Sequence, residues 1–174
     1  MAQAISPKEN LNNQDAVAKL KELAEKARTC MFTTSISSDT PTTRPMTVQE
    51  VDENGTLWFI GSSDTETAKE IGENNRVQLY FMNSGSYEFV YVLGDATLST
   101  DKSLIEKYWT EIANAWFDGK EDPRVRVISV KPSDSYYWDT KDGKIVSLFK
   151  IGVSALTGKK MEDGGVEGTL NIDM

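Results

Sequence analysis

The chain has 174 residues, 39% of them hydrophobic and 26% charged, with a formal net charge of −8. That length suits one domain with a real core, and no apolar run approaches the ~20 residues of a membrane-spanning helix. The acidic balance, with no basic run longer than Lys159–Lys160, argues against nucleic acid as a general partner.

Two absences narrow the chemistry. There is no histidine, which removes the commonest general base and metal ligand. The single cysteine, Cys30, rules out an internal disulfide, a Cys-x-x-Cys redox pair and a Cys-rich zinc site. Any difficult chemistry would fall to a cofactor, no metal site is expected, and no catalytic side chain stands out. The opening stretch MAQAISPKENLNNQDAV has no basic segment followed by an apolar one, so a cytoplasmic location is expected.

In chain order, Asn13 is expected to cap a helix from about Gln14 to Arg28, with Val17, Leu20, Leu23, Ala24 and Ala27 on one face. Strands are expected over Cys30–Ile36, Thr42–Val51 and Thr56–Gly61, the last two joined by the hairpin signal Asn54-Gly55. A short helix from Thr65 to Glu73, capped by Asp64, leads to strands at Arg76–Met82 and Tyr87–Ser99. Thr100 or Asp101 would cap a helix carrying Leu104, Ile105, Tyr108, Trp109, Ile112 and Trp116. Strand-like runs follow at Arg124–Val130, Ser135–Trp138 and Ile145–Phe149, the last two joined by a turn at Lys141–Lys144. Seven or eight short strands with three inserted helices give an α+β, mainly β class: a small barrel or sandwich rather than a doubly wound parallel sheet. One domain spanning 1–158 is expected, followed by a Gly-, Glu- and Asp-rich tail over 159–174 that is either mobile or packed on a partner.

Three features bear on function. Thr43-Arg44-Pro45-Met46 puts a proline inside a strand, which marks an edge, a bulge or a backbone facing something other than a strand; Arg44 beside it offers a planar fork for phosphate or a carbonyl. Taken alone, this favours a plain edge strand with a solvent-facing arginine. The run from Trp58 to Thr65 carries a strand into a helix start, where backbone N–H groups and hydroxyls can cradle a phosphate. Lys69 adds a charge one turn on, whereas Glu66 opposes it and Asp64 suits a simple cap. Trp109 and Trp116, seven apart, would share one helix face, and Trp138 follows Tyr136-Tyr137; such aromatics fit a core or dimer interface as well as a stacked ring. No paired carboxylates, Gly-x-Gly-x-x-Gly or Walker lysine is present.

Taken together, Arg28 to Thr34, Thr43-Arg44-Pro45-Met46, Gly55 to Phe59, Lys69-Glu70-Ile71, Asn75-Arg76-Val77, Ala115-Trp116-Phe117, Asp122-Pro123 and Tyr137-Trp138-Asp139 resemble, in that order, the general stress protein 26-like branch of the pyridoxamine 5′-phosphate oxidase-like, FMN-binding split barrels. The resemblance runs from about Leu20 to Lys159. It implies a split antiparallel β-barrel with flanking helices, a homodimer, and flavin sites at the dimer interface. By that resemblance Arg44, Pro45 and Met46 lie along the flavin ring and ribityl chain, and Trp58, Phe59, Ile60 and Gly61 contact it from the next strand. Ser62, Thr65 and Lys69 approach the phosphate, and Trp116 and Trp138 arrive from the other subunit.

The chain departs from relatives at Thr65, Glu66 and Thr67, where many carry Ser-Arg-Lys or Ser-His-Lys. Two positive charges are missing and one position has become negative, so either Lys69 compensates from the next turn or FMN binding is weak or lost. The last residues, Gly164 to Met174, contain no Arg or Trp such as true pyridoxamine phosphate oxidases use, so vitamin B6 synthesis is not expected. Three functions follow: a flavin-dependent oxidoreductase that takes electrons from a donor such as a reduced nicotinamide, a non-catalytic flavin-buffering stress protein, or a cofactor-free barrel acting as a dimeric interaction module.

Overall fold

A computed structural model of the protein describes residues 8–140 and 165–172. The expected turn at Lys141–Lys144, the strand Ile145–Phe149 and the boundary near residue 158 lie outside the described residues.

Among the described residues, a mixed, mainly antiparallel sheet is flanked by three α-helices. Helix α1 (Asn13–Ala27) buries Ala16, Val17, Leu20, Leu23 and Ala24, the stripe expected from 3.6-residue periodicity. Its charged face ties down the surroundings through Lys19–Asp139 at 2.9 Å and Lys26–Glu88 at 2.5 Å. Strands β2 (Thr29–Thr34) and β3 (Thr42–Thr47) form a hairpin, and β4 (Glu50–Val51) pairs with β5 (Leu57–Ser62). The single strand expected over Thr42–Val51 is therefore two strands, with Val48 turning back so that its N–H donates to the Arg28 carbonyl at 2.8 Å. The Asn54-Gly55 turn is as expected. Gly55 has φ +81°, a conformation that favours glycine, while the Asp52 carboxylate accepts from the Asn54 and Thr56 amides at 2.9 Å each.

Helix α2 (Glu66–Glu73) follows β5 and leads into β6 (Arg76–Asn83) and β7 (Glu88–Ser99). Helix α3 (Lys102–Tyr108) is capped by Asp101, which accepts from the Ser103 amide at 2.8 Å. It ends at Trp109, and a separate 3₁₀ turn over Glu111–Ala115 follows. Trp109 and Trp116 therefore do not share a helix face: each lies just past the end of a different element. The two runs expected at Arg124–Val130 and Ser135–Trp138 are one long strand, β8 (Val125–Thr140). Pro132 sits at a register shift opposite Leu93 and Gly94, where an irregular ladder tolerates a missing donor. The backbones approach so closely there that a Cβ on Gly94 would meet the Lys131 carbonyl oxygen at 2.4 Å. Within the stretch expected as a tail, Gly165–Asn171 is strand β9, antiparallel to β8 and parallel to the short β1 (Leu11–Asn12) of the same chain.

The sheet runs β3-β2-β6-β7-β8, after which β8 pairs with β5 along its first half and with β9 along its second. The sheet curls far enough to bring β3 near β5, but no ladder joins them. The barrel is split there. Its interior holds Leu20, Phe32, Leu57, Phe59, Leu79, Phe81, Val92 and Tyr137, with Phe32 and Phe59 edge to face at 5.5 Å. A smaller cluster lies outside β5 and β8, where Ile105 and Tyr108 of α3 cover Val125 and Val127.

Two expectations follow from this packing. Phe59→Ala should cost about 3–5 kcal/mol of stability by urea denaturation, since it removes a fully buried ring. Cys30 is buried against the core and burial pushes its thiol up to about 12. It should resist alkylation in the native protein at neutral pH and react once the chain is unfolded.

Candidate functional site

The ladders that flank the split determine which backbone groups face it. The Val48–Arg28 bond fixes the alternation along β3: with Cys30 opposite Met46, residues 42, 44 and 46 exchange bonds with β2. The peptide groups of Thr43, Pro45 and Thr47 turn the other way, toward the open edge. Proline therefore stands where no β2 ladder donor is lost. On β5, the Ser63 amide donates to the Arg124 carbonyl at 2.8 Å, which places Gly61, Phe59 and Leu57 on the β8 ladder. The peptide groups of Ile60 and Ser62 face away from β8, on the side of the split.

Side chains follow the same alternation. Arg44 and Met46 are half-buried and point inward, whereas Thr43, Pro45 and Thr47 are exposed. Met46 packs against the main core. Arg44 reaches across the mouth of the barrel: its Nη1 donates to Thr34 Oγ1 at 2.7 Å and its Nη2 to Glu70 Oε2 at 3.0 Å. Glu70, on α2, also accepts from Thr34 Oγ1 at 2.5 Å and from Thr42 Oγ1 at 2.8 Å. The hydroxyls of Thr34 and Thr42 and the Arg44 guanidinium together hold the Glu70 carboxyl below the usual glutamate range. Arg44 is therefore neither solvent-facing nor free.

The remaining sequence-predicted residues divide by position. Phe59 lies wholly in the core, so only its backbone is available to a ligand. Trp58 and Ile60 point to the outer side of β5; Trp58 stacks on Tyr108 at 5.0 Å and donates from Nε1 to Asp52 at 2.9 Å. Gly61 is crowded, since a Cβ would meet Ile128 Cδ1 at 2.9 Å. At the start of α2 the cap is Thr65, not Asp64: the Thr65 hydroxyl accepts from the Ala68 amide at 3.3 Å and donates to the Ser62 carbonyl at 2.8 Å. Asp64 turns outward to Ser62 Oγ and to Arg124, 3.7 Å away. Lys69 is exposed beside Glu66 at 3.9 Å. Trp116 is exposed on the 3₁₀ turn, and Trp138 lies on the outer face of β8 beside Tyr136.

Three features were not legible in the sequence. Glu70 is the carboxylate that engages Arg44; four residues after Glu66, it reads as one more wet helical position. Arg124 is clamped by Asp122 at 2.7 Å beside the α2 turn. The third is an apolar row on the outer sheet face, where Met31, Tyr80, Tyr91 and Tyr136 stand opposite one another across β2, β6, β7 and β8. Tyr80 and Tyr91, with Met82, Phe89 and Trp138, frame a shallow hollow of about 430 Å³.

The profile of the pyridoxamine 5′-phosphate oxidase-like family matches residues 15–162. The chain belongs to this family. General stress protein 26 of Bacillus subtilis (strain 168) is 26% identical over 141 residues, covering 79% of this chain and 99% of that one. Protein bli-3 of Neurospora crassa is 27% identical over 118 residues, covering 62% of this chain, and the matched region spans 56% of the bli-3 length. A crystal structure assigned as general stress protein 26 from Jannaschia sp. CCS1 superposes with a TM-score of 0.75 at 26% identity, over 90% of this chain and 98% of that one. The general stress FMN/FAD binding protein of Xanthomonas citri superposes with a TM-score of 0.61 at 25% identity, over 71% of this chain and 87% of that one. The split barrel and the general stress protein 26-like branch are thus established. No helix among the described residues is long and apolar enough to cross a membrane.

The Arg44–Glu70 network makes a testable contribution to stability. Its carboxyl titrates lower in the folded chain than the ~4.3 of an unfolded glutamate. The contribution is therefore complete above that value and is lost as pH falls through the folded one. Urea midpoints measured from pH 7 downward should fall more steeply for the wild type than for Glu70→Gln. Parallel curves would remove the network from the account.

Proposed function

We propose that this chain is a flavin-binding, general-stress-type protein that holds FMN along the split between β3 and β5. One observation carries the reading. The peptide groups of Thr43, Thr47, Ile60 and Ser62, together with the donor-free Pro45, line an edge that no strand pairs among the described residues. A flavin ring presents carbonyls and an N–H along one edge, which such backbone groups can meet, while the flat faces need apolar cover. Met46, half-buried beside the split, supplies some of it. The Xanthomonas citri neighbour is named as an FMN/FAD binding protein, which supports a flavin as the ligand class.

The phosphate end fits less well. The hydroxyls of Ser62 and Thr65 are present, but their positions lie among carboxylates, and Lys69 is the cation nearest in sequence. Ring recognition then carries most of the affinity. A bound flavin supplies two-electron redox chemistry from its own ring. The residues around it position the ring, exclude water and need not transfer protons. Glu70, kept ionised by its three partners, is not a proton donor at neutral pH. The second reading is a flavin-buffering protein without turnover; a nicotinamide donor belongs to the oxidoreductase reading alone.

A homodimer belongs to the proposal. The row of Met31, Tyr80, Met82 and Trp138, 40–59% exposed, offers an apolar face to a second copy, and Trp116 and Ile112 are exposed on the 3₁₀ turn. Such large apolar side chains grouped on one face favour association.

Purified chain incubated with FMN and desalted should retain visible flavin absorbance, and titration should quench tryptophan fluorescence with saturation. Colourless protein with unchanged fluorescence in excess flavin would end the proposal. Anaerobic mixing of the complex with reduced nicotinamide then separates the oxidoreductase, which bleaches, from the buffering protein, which does not. Trp138→Glu should shift sedimentation from dimer toward monomer.

A further inference from the structure

We infer that the site does not discriminate for the flavin phosphate: riboflavin, which lacks it, binds this chain as tightly as FMN. The inference rests on the flavin reading above and concerns what the far end of that site recognises.

The charges around the α2 turn carry the argument. Arg44 is paired with Glu70 at 3.0 Å, Lys69 with Glu66 at 3.9 Å, and Arg124 with both Asp122 at 2.7 Å and Asp64 at 3.7 Å. Three cations face four carboxylates. A phosphate monoester carries about −1.5 to −2 at pH 7, so it would enter a region already neutralised. To reach the Arg44 guanidinium it must displace Glu70, which would lose its charged partner and remain beside the new anion. Both side chains are mostly shielded from water, at 20% and 15% exposure, so such an exchange is costly.

Arg126 has no carboxylate partner within ion-pair distance among the described residues. Its Nη1 donates to the Pro123 and Val125 carbonyls at 2.8 Å each, and its strand, β8, lies behind β5 as seen from the split.

The same groups suit a hydroxyl. Glu70, the Ser62 carbonyl and the Thr65 and Thr34 oxygens are acceptors, and a primary alcohol donates where a phosphate dianion cannot. The α2 turn therefore accepts the uncharged end of a ribityl chain as well as a phosphate.

The test compares riboflavin with FMN on the full chain at neutral pH and fixed salt, by quenching of flavin fluorescence. The two dissociation constants should agree within about threefold. Glu70→Gln frees Arg44 from its anion and should shift the FMN-to-riboflavin affinity ratio about tenfold toward FMN. Glu66→Lys, at an exposed position, should move the same ratio in the same direction without entering the buried network, so the inference stays testable if the first variant folds poorly. Wild-type protein that prefers FMN by tenfold or more would overturn the inference, and loss of that preference in Arg126→Ala would assign the phosphate to Arg126 instead. If neither flavin is quenched, the flavin reading itself fails and the inference falls with it. A preference for FMN leaves that reading intact, so the two failures are distinct.

Discussion

The unpaired edge between β3 and β5 is the constraint on which the site depends. A barrel closes when each strand finds a neighbour on both sides, and among the described residues the last pairing is withheld. Pro45 contributes directly: placed where its peptide nitrogen faces the split, it has no hydrogen to offer β5. Yet it costs β2 nothing, because residues 42, 44 and 46 make that ladder. Backbone groups left without a strand partner require another one or water. The fold is thereby built around a narrow polar seam set beside an apolar core.

The seam stays open because its two sides are anchored separately. On one side, β3 is fixed to β2 along its whole length. On the other, β5 is held by β8, and its outer face is covered by α3 through the stacking of Trp58 on Tyr108. Between them, α2 reaches from the end of β5 to β2, and Glu70 joins that helix to Thr34, Thr42 and Arg44. The ion pair is a brace across the mouth of the barrel. It fixes the direction of a long side chain that would otherwise sample the opening.

How far the sequence discloses this depends on the range of the interaction. Helix α1 and the Asn54-Gly55 turn are local matters of periodicity and glycine chemistry; the turn appears as read, and so does the helix except at its start, where Asn12 and not Asn13 is the cap residue. Pro45 announced an interrupted edge for the same reason. The helix expected through Trp116 failed because Ile105 and Tyr108 satisfy the apolar face of α3 within two turns, after which the chain tightens into a 3₁₀ turn. The long β8 was hidden by Pro132, whose usual meaning as a strand breaker is overridden by the register shift against Gly94. Arg44 was legible as a functional candidate, but its partner was not. Glu70 lies 26 residues away, and nothing in a helical stretch of alternating charge distinguishes the carboxylate that turns inward.

That partner changes what the arginine means. An arginine beside an open edge, read alone, predicts an anion-binding site, because its fork matches phosphate and carboxylate alike. Here the chain supplies the carboxylate itself. The seam can keep its capacity for a flat, hydrogen-bonding ring while the adjoining turn loses its appetite for charge, since the two halves rest on different physics. Ring recognition comes from backbone direction, which is set by strand register and survives surface substitution. Charge recognition comes from a few side chains, and residues such as Glu66 and Glu70 can cancel it without moving a strand. Selectivity within this fold can therefore drift at the helix turn while the barrel that frames the seam is preserved.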